Sequence, residues 1–242
     1  MSLTCSIVQS SYIPWRGHFF LIDQSDVFVF LDEVQFTRRD WRSRNKIKSA
    51  NGSHWLSVPV RAESHQDLKI SEVHIDYQQD WIRKHLKSVE QSYSKAPFFE
   101  QTWDSYRKIL EERPATLSKL NQLLTQKYWE LVSGNVAKKF LLDSDLAIEP
   151  NLSKTERLVA ICRAVGADRY LSGPSAREYL ELNLFKVNNI EVDFAGYSFQ
   201  EYQQLHGEFD PQVSIIDSLM NLGVNCRQTL FEGGVVSPES LL

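Results

Sequence analysis

Three segments of the sequence hold residue types that could bind an anion or move a proton. Residues 9–18 read Gln-Ser-Ser-Tyr-Ile-Pro-Trp-Arg-Gly-His, and residues 171–179 read Leu-Ser-Gly-Pro-Ser-Ala-Arg-Glu-Tyr. Between them, the stretch from Arg38 to Lys48 holds six cations in eleven residues, with Trp41 among them. A guanidinium can clamp two phosphate oxygens at once, and a histidine or carboxylate can act as a general base. The segments therefore predict a site for the phosphate or pyrophosphate of a small ligand.

Each segment also has a purely structural interpretation. The proline and glycine of residues 9–18 could only shape a turn while the aromatic side chains pack on the core. The basic stretch could be a solvated loop paired with acidic neighbours, and Ser175 could only cap a helix. Asp32 could act as a base or a Mg²⁺ ligand, or as a structural partner of the nearby arginines. Nucleic acid is a less favoured partner of the basic stretch, because the chain is acidic overall and lacks a nucleic-acid-binding motif.

The composition is that of a globular protein. Lysine and arginine total 27 and aspartate and glutamate 31, which gives a net charge of −4, and 42% of the residues are hydrophobic. No apolar run approaches the roughly 18 residues that a membrane span requires, and the N-terminus lacks a signal pattern. The three cysteines are far apart and odd in number, which indicates free thiols in the cytoplasm. The six histidines, including His65, show no metal-ligand spacing, so we expect no protein-built metal site.

The ends of the chain predict a parallel sheet. Residues 3–9 and 27–32 are apolar β-prone runs without a period of two, and a short helix around residues 19–22 lies between them. Such runs are typical of neighbouring parallel strands with both faces covered. Further strands are expected at 168–172 and 190–197. Residues 54–60 and 69–76 form a second pair of β-like runs, with Pro59 placing the first at a sheet edge or a bulge.

Helical periodicity dominates the middle of the chain. Helices are predicted over residues 82–93, 98–111 and 116–140, and Leu117, Leu120, Leu124, Tyr128 and Leu131 form a core stripe on the last. Later helices are expected at 153–165 and, from capping boxes and apolar spacing, after Ser175 and over 213–222, with a loose segment over 233–242. The predicted fold is a single α/β domain over 1–242, with a largely parallel Rossmann-like sheet built from both ends of the chain and a helical layer or subdomain at 80–150.

The strand followed by a loop ending in Gly17-His18 resembles the nucleotidylyltransferases, whose His-x-Gly-His loop stabilises a phosphate. Trp15 stands at the position of that motif's first histidine. This resemblance implies a nucleotidylyltransferase-like variant of the fold, with the most diagnostic residue of the activity replaced.

A larger set of motifs resembles the WbqC-like protein family, whose usual opening is Gln-Pro-x-Tyr-Leu-Pro-Trp-x-Gly-Tyr-Phe. In residues 9–19, Ser10 replaces the proline and His18 replaces the aromatic residue. The resemblance continues to residues 214–223 through Val-Phe-Leu-Asp-Glu-Val-Gln-Phe at 29–36, Trp-Arg-Ser-Arg-Asn at 41–45, Asp-Trp-Ile-Arg-Lys-His at 80–85, Lys-Thr-Glu-Arg-Leu at 154–158 and Tyr-Leu-Ser-Gly-Pro at 170–174. It therefore covers nearly the whole chain.

The resemblance implies a role in bacterial O-antigen or surface-polysaccharide biosynthesis, in which transfer of a glycyl or other aminoacyl group to an amino sugar is suggested for a member of the family. Such a transfer needs a carboxylate activated by a phosphate or nucleotide, and a base that deprotonates the sugar amine. The expected ligands are an amino sugar or nucleotide-linked sugar, an amino acid or acyl donor, and ATP or another nucleotide with Mg²⁺ carried by its phosphates. The alternatives are nucleotidyl transfer and a non-catalytic nucleotide- or carbohydrate-binding partner.

The motifs and the three polar segments together nominate the residues of the site. His18 or Asp32 is expected to be the base. The residues expected to shape the pocket or to bind substrate and phosphate are Tyr12, Trp15, Gly17, Gln35, Arg39, Trp41, Arg44, Asn45, Lys154, Ser172, Gly173 and Arg177. These residues must meet at one crevice, with Trp15 and Ser172 on its walls, for the catalytic interpretation to hold.

Overall fold

The structure is a computed structural model that describes residues 2–61, 68–230 and 234–237. His65 and residues 233 and 238–242 of the segment predicted to be loose lie outside the described residues. In chain order the strands and helices are β1 (Thr4–Val8), α1 (Arg16–Asp23), β2 (Val27–Phe30), β3 (Arg44–Ser49), β4 (Gly52–Ser57), α2 (Trp81–Tyr93), α3 (Phe99–Glu111), α4 (Leu117–Ser133), β5 (Lys139–Leu142), α5 (Lys154–Val165), β6 (Arg169–Ser172), α6 (Leu182–Val187), β7 (Glu191–Gly196), α7 (Ile215–Leu222), α8 (Cys226–Leu230) and β8 (Gly234–Val236).

The main sheet has six strands in the order β5-β2-β1-β6-β7-β8. The first five of these are parallel to one another, and β8 is antiparallel to β7. The chain builds the sheet outward from β1 to β2 and β5, and then returns to the other side of β1 to add β6, β7 and β8. The two halves of the sheet therefore diverge between β1 and β6, which is the switch point at which ligands bind in open α/β sheets.

Helices cover both faces of the main sheet. Along β2, Phe28 and Phe30 belong to a core with α1, α2, α3, α4 and α7, whereas Val27 and Val29 belong to a second core with α5 and α6. Successive side chains of a strand alternate between the two faces, so a strand covered on both sides shows no polar alternation. This packing confirms the predicted α/β class and the largely parallel, Rossmann-like sheet built from both ends of the chain.

Several of the predicted elements occur with nearly the predicted bounds. The β1–β2 pair is parallel, α2 and α3 follow the predicted helices, and the five residues of the predicted stripe on α4 are all buried in the larger core. The capping box of α5 is also present, since Ser153 and Glu156 each bond the other's backbone N–H group. No helix in the described part of the chain is both long enough and apolar enough to cross a bilayer.

The predicted helix over 116–140 was too long, and its last residues form a strand instead. Helix α4 ends at Ser133, where Gly134 takes a left-handed conformation with φ +67° and Asn135 follows with φ +69°. Two successive left-handed residues stop a helix, and glycine adopts that conformation without a Cβ penalty. Residues 139–142 then form β5, the outer strand beside β2. The segment 80–150 is therefore not helical throughout.

Of the two predicted β-like runs, 54–60 and 69–76, only the first contains a regular strand, and the two runs meet at the isolated bridge between Val60 and Ile75. Strand β4 pairs antiparallel with β3, most of which lies inside the basic stretch, through a turn at Gly52 with φ +95°. Residues 69–76 contain a 3-10 turn at Ile70–Glu72 and isolated β-bridges. The polar sequence of β3 conceals the strand, because mainly Ile47 turns an apolar side chain to the core.

Two predictions about the C-terminal third were also wrong. Ser175 does not cap a helix, because residues 174–178 form a 3-10 turn and α6 begins at Leu182. Residues 234–236, within the segment predicted to be loose, pair with β7 as the edge strand β8. Pro174 directly after Gly173 favours a tight turn over a regular helix start at Ser175.

Candidate functional site

A cavity of about 500 Å³ opens at the switch point between β1 and β6, and we call it the cleft. Its walls come from the end of β1, from α1, from the N-terminal turn of α5 and from the loop after β6. The polar and aromatic lining residues are Gln9, Trp15, His18, Arg42, Lys154, Arg157, Tyr170, Ser172, Ser175, Tyr179 and Tyr197. Trp15 and Ser172 thus share one cavity, as the catalytic interpretation requires.

A second cavity of about 620 Å³, which we call the side chamber, adjoins the cleft. Both cavities are lined by Val8, Trp15, His18 and Arg42, so these four residues form the boundary between them. The other walls of the side chamber are Ser11, Pro14, Trp41, Asn45, Pro211 and Gln212. A ligand with two parts could therefore place one part in each cavity and its reacting atoms beside His18.

His18 stands at this boundary as an uncharged imidazole. Its residue is only 3% exposed, and its Nε2 atom is buried without a hydrogen-bond partner among the described residues. Burial first, and the charge of Arg42 second, lower the pKa of His18 to about 3. Buried polar atoms are nearly always paired, so a buried nitrogen without a partner among the described residues sets His18 apart from an ordinary core residue.

Arg42 brings a positive charge to the same boundary. Its guanidinium lies 3.2 Å from an Asp40 carboxylate oxygen and donates to the Ser11 hydroxyl at 3.5 Å. Its Nε atom is buried and has no hydrogen-bond partner among the described residues. Burial lowers the pKa of Arg42, although an arginine stays charged at neutral pH. Arg42 therefore retains an unused donor near both cavities.

Lys154 and Arg157 supply two more cations from the first turn of α5. Arg157 lies 3.7 Å from Asp143, whose carboxylate also accepts the backbone N–H groups of Asp32 and Glu33. Burial raises the pKa of Asp143 to about 6. The N-terminus of α5 adds the positive end of the helix dipole. No aspartate or glutamate is among the described residues that line the cleft, so its lining is positively charged.

Trp15 forms a wall of both cavities because Gly17 leaves room for its indole. A Cβ atom on Gly17 would lie 2.3 Å from the Trp15 ring, and the same ring packs edge-on against Tyr197 and Phe199. Residue 17 must therefore lack a side chain while the indole covers the start of α1. The close approach of the Trp15 indole therefore explains why residue 17 is a glycine, and no unusual backbone angle is needed to explain it.

Replacing Gly17 by alanine should move the Trp15 indole and weaken binding of pyrophosphate in the cleft severalfold. The protein itself should lose little stability, since alanine favours the helix by about 1 kcal/mol over glycine. Isothermal titration calorimetry with pyrophosphate would measure the effect. In a Trp15→Ala background the same substitution should change nothing further, and an undiminished effect there would disprove the contact as its cause.

The burial of His18 also predicts an acid-dependent loss of stability. A histidine whose pKa is about 3 when folded and 6.5 when unfolded stabilises the protein fully above 6.5, and this contribution falls as the pH drops toward 3. His85, with a pKa lowered to about 4 by burial, adds to the effect. In urea titrations at about pH 7 and about pH 5, His18→Phe should therefore lose less stability on acidification than the wild type.

A matched control is His74→Gln, because His74 is exposed. It should show the wild-type loss of stability on acidification. An equal loss in wild type and His18→Phe would contradict the assignment of this loss to His18.

Two of the nominated residues are tied into the interior. Tyr12 is fully buried; its hydroxyl lies 2.8 Å from His85 Nδ1 and 2.5 Å from the Tyr106 hydroxyl. His85 Nε2 lies 3.1 Å from the carbonyl of Ser57, so Nε2 carries the proton and Nδ1 accepts from Tyr12. Asp32 is 3% exposed, and its carboxylate accepts the Ser10 N–H and the Ser118 hydroxyl. Neither residue is among those lining the cleft.

The remaining nominated residues divide between the two cavities and other surfaces. Lys154, Ser172 and Gly173 line the cleft, and Trp41 and Asn45 line the side chamber. The Asn45 amide also donates to the carbonyls of Tyr12 and Ile13, which holds Ile13 at φ +39°.

Besides Tyr12, Gly17 and Asp32, four more nominated residues line neither cavity. Arg39 and Arg44 line a separate groove, Gln35 forms a β-bridge with Lys69, and Arg177 lies over the Phe194 ring at 5.0 Å. The structure therefore brings only part of the nominated set to the two cavities.

Arg42 and Arg157 were not nominated from the sequence, although both lie inside the motifs that carried the resemblance. Their neighbours Arg39, Arg44 and Lys154 have the same charge, so residue type could not separate them. The alternating directions of loop and helix side chains decide which cation faces the cleft. In the described part of the chain, no group of three histidine, cysteine, aspartate or glutamate residues is arranged to hold a metal ion.

Comparison with known proteins finds a matching protein family and a similar protein of known sequence. The model of the WbqC-like protein family matches residues 9–229. A protein of Mycobacterium tuberculosis described as "Uncharacterized protein Rv1507c" is 40% identical over 232 residues, which cover 92% of this chain and 98% of that protein. No solved structure matches the chain.

Proposed function

We propose that this chain, which belongs to the WbqC-like protein family, is a transferase that passes a glycyl or other aminoacyl group from a phosphate-activated donor to an amino sugar. The proposed setting is the biosynthesis of bacterial O-antigen or another surface polysaccharide. The observation that carries the proposal is the convergence of Arg42, Lys154, Arg157 and His18 around one cleft, where none of the described lining residues is a carboxylate.

The three cations suit the activated end of the donor. An acyl phosphate or aminoacyl nucleotide carries a phosphate next to the reacting carbonyl, and guanidinium groups bind phosphate oxygens in pairs. In the reaction the amine nitrogen of the sugar forms a bond to the carbonyl carbon, and the bond from that carbon to the phosphate oxygen breaks. The phosphate leaves with the electron pair of that bond, and the cations stabilise its growing charge.

His18 is proposed to take the proton that the attacking amine loses. A base with a pKa of about 3 is weak at neutral pH. The charge of Arg42 contributes to this low value, so a phosphate that neutralises Arg42 should raise the basicity of His18. The side chamber, with Trp41, Pro14 and Pro211 on its walls, is the proposed place of the acceptor sugar.

The low pKa of His18 also favours a second candidate, a non-catalytic nucleotide- or carbohydrate-binding partner of a biosynthetic complex. Such a protein would use the same cations and would need no base. Nucleotidyl transfer has less support, because the position of the first histidine of that motif is occupied by Trp15, whose indole covers the start of α1.

The experiment is to incubate the purified protein with a panel of UDP-linked amino sugars and either preformed glycyl adenylate or glycine, ATP and Mg²⁺. Transfer should release AMP from the preformed donor, or phosphate or pyrophosphate from ATP, and add the mass of a glycyl group to one sugar, as seen by mass spectrometry. His18→Gln should abolish this product and keep nucleotide affinity within about twofold of the wild type. Binding without any product would support the second candidate, and a new sugar nucleotide formed from a nucleoside triphosphate and a sugar phosphate would support nucleotidyl transfer.

A further inference from the structure

A groove of about 410 Å³ lies beside the β3–β4 hairpin, and we call it the hairpin groove. Its lining residues are Phe36, Arg38, Arg39, Ser43, Arg44, Ser57 and Val60. None of these lines the cleft or the side chamber. The hairpin groove therefore brings three guanidinium groups together at a place that the proposed reaction does not use.

The three arginines have no carboxylate partner in the part of the chain that the structure describes. Among the described residues, ion pairs join exposed arginines such as Arg83 and Arg107 to neighbouring acidic side chains, whereas Arg38, Arg39 and Arg44 take part in none. The nearest acidic residue in sequence is Asp40, whose carboxylate already bonds Arg42, Thr37 and the N–H group of Trp41. Three like charges at one groove repel each other, and a multivalent anion would remove that repulsion.

The loop that presents these side chains is held in shape. Thr37 donates to Asp40 at 2.7 Å, the Trp41 N–H donates to the same carboxylate at 2.6 Å, and the Ser43 N–H donates to the Asp40 carbonyl at 3.2 Å. Arg39 is held at φ +56°, a left-handed conformation uncommon for a residue with a side chain. Such conformations persist where the surroundings enforce them, often at ligand sites.

Arg44 is positioned by stacking. Its guanidinium carbon lies 4.3 Å from the centroid of the Trp55 ring, and the Trp41 and Trp55 rings lie 5.3 Å apart. The Nε atom of Arg44 is buried and has no hydrogen-bond partner among the described residues. A stacked guanidinium keeps its edge free to donate, and the hydroxyls of Ser43 and Ser57 line the same groove.

We propose that the hairpin groove is a second anion-binding site, separate from the cleft, that binds the phosphate or pyrophosphate group of a ligand. Guanidinium groups without a carboxylate partner among the described residues match phosphate oxygens, which accept bidentate hydrogen bonds. The phosphate could belong to a free small molecule or to the headgroup of a lipid. The assignment does not depend on the proposed transfer reaction.

Calorimetric titration with inorganic pyrophosphate tests the assignment. We expect two binding events in the wild type and one in the double variant Arg39→Gln/Arg44→Gln, with at least a tenfold weakening of the lost event. The double variant Lys154→Gln/Arg157→Gln should lose the other event, so failure of the cleft and failure of the groove are distinguishable. Arg83→Gln, which removes an exposed arginine of α2, should keep both events.

The fluorescence of Trp55 reports directly on binding at the hairpin groove, so that lost binding can be distinguished from a misfolded variant. Filling the groove should change the emission of the wild type, and Trp55→Phe should remove that change. Sedimentation with vesicles of phosphatidylcholine alone or mixed with phosphatidylglycerol separates the two sources, because a lipid-headgroup site would bind only the mixed vesicles. If Arg39→Gln and Arg44→Gln, singly and together, leave both pyrophosphate and vesicle binding unchanged in folded protein, the proposal is overturned.

Discussion

Replacing Arg42 by glutamine should weaken the binding of pyrophosphate or a nucleotide in the cleft by about 10- to 100-fold. Arg42 is the cation that borders both the cleft and the side chamber, and its Nε donor has no partner among the described residues. A hydrogen bond to a charged group contributes about 1.5–3 kcal/mol, which corresponds to this range of affinity. Isothermal titration calorimetry at low and moderate salt would measure it.

The same substitution should change the titration of His18. The charge of Arg42 helps to lower the pKa of His18, so Arg42→Gln should raise that pKa in the empty protein. Nuclear magnetic resonance of the labelled imidazole would follow it. Arg83→Gln is the matched control, because Arg83 is an exposed arginine that pairs with Asp80. Unchanged affinity in Arg42→Gln, with an intact fold, would remove the central cation from the proposed site.

Replacing Asp32 by alanine should lower the free energy of unfolding by about 2–4 kcal/mol, because it leaves two buried donors without an acceptor. These donors are the Ser10 N–H, 2.9 Å from one carboxylate oxygen, and the Ser118 hydroxyl, 2.5 Å from the other. The carboxylate thereby joins the loop after β1 to helix α4, and its bond to Ser118 alone spans 86 residues of sequence. Urea denaturation followed by circular dichroism would measure the loss.

Asp32→Asn separates this structural role from a catalytic one. An amide can still accept from Ser10 and can bond the Ser118 oxygen, so the loss of stability should be about half or less of that in Asp32→Ala. If Asp32 only ties the loop, Asp32→Asn should keep ligand affinity and most of the transfer activity. Abolished transfer in a folded Asp32→Asn protein with normal affinity would instead assign the base to Asp32.

The sequence by itself determined the fold class and the position of the cleft. Apolar runs without alternation predicted parallel strands covered on both sides. Such a strand places successive side chains in two different cores, as β2 does with Phe28 and Val29. Polar segments that follow parallel strands lie at the same edge of the sheet, so the meeting of Trp15, His18 and Ser172 could be anticipated from strand order and spacing alone.

Only the tertiary structure decided which charged side chains face that cleft, and what the protonation state and hydrogen bonds of the titratable side chains are. Arg42 and Arg44 differ by two positions in one basic motif, yet one borders the cleft and the other lies over Trp55 in a separate groove. The low pKa of His18 and the bonds of Asp32 depend on side chains such as Arg42 and Ser118 that lie far along the chain. Local patterns encode the period and the turns of each element, whereas desolvation and hydrogen-bond partners arise only when distant elements pack together.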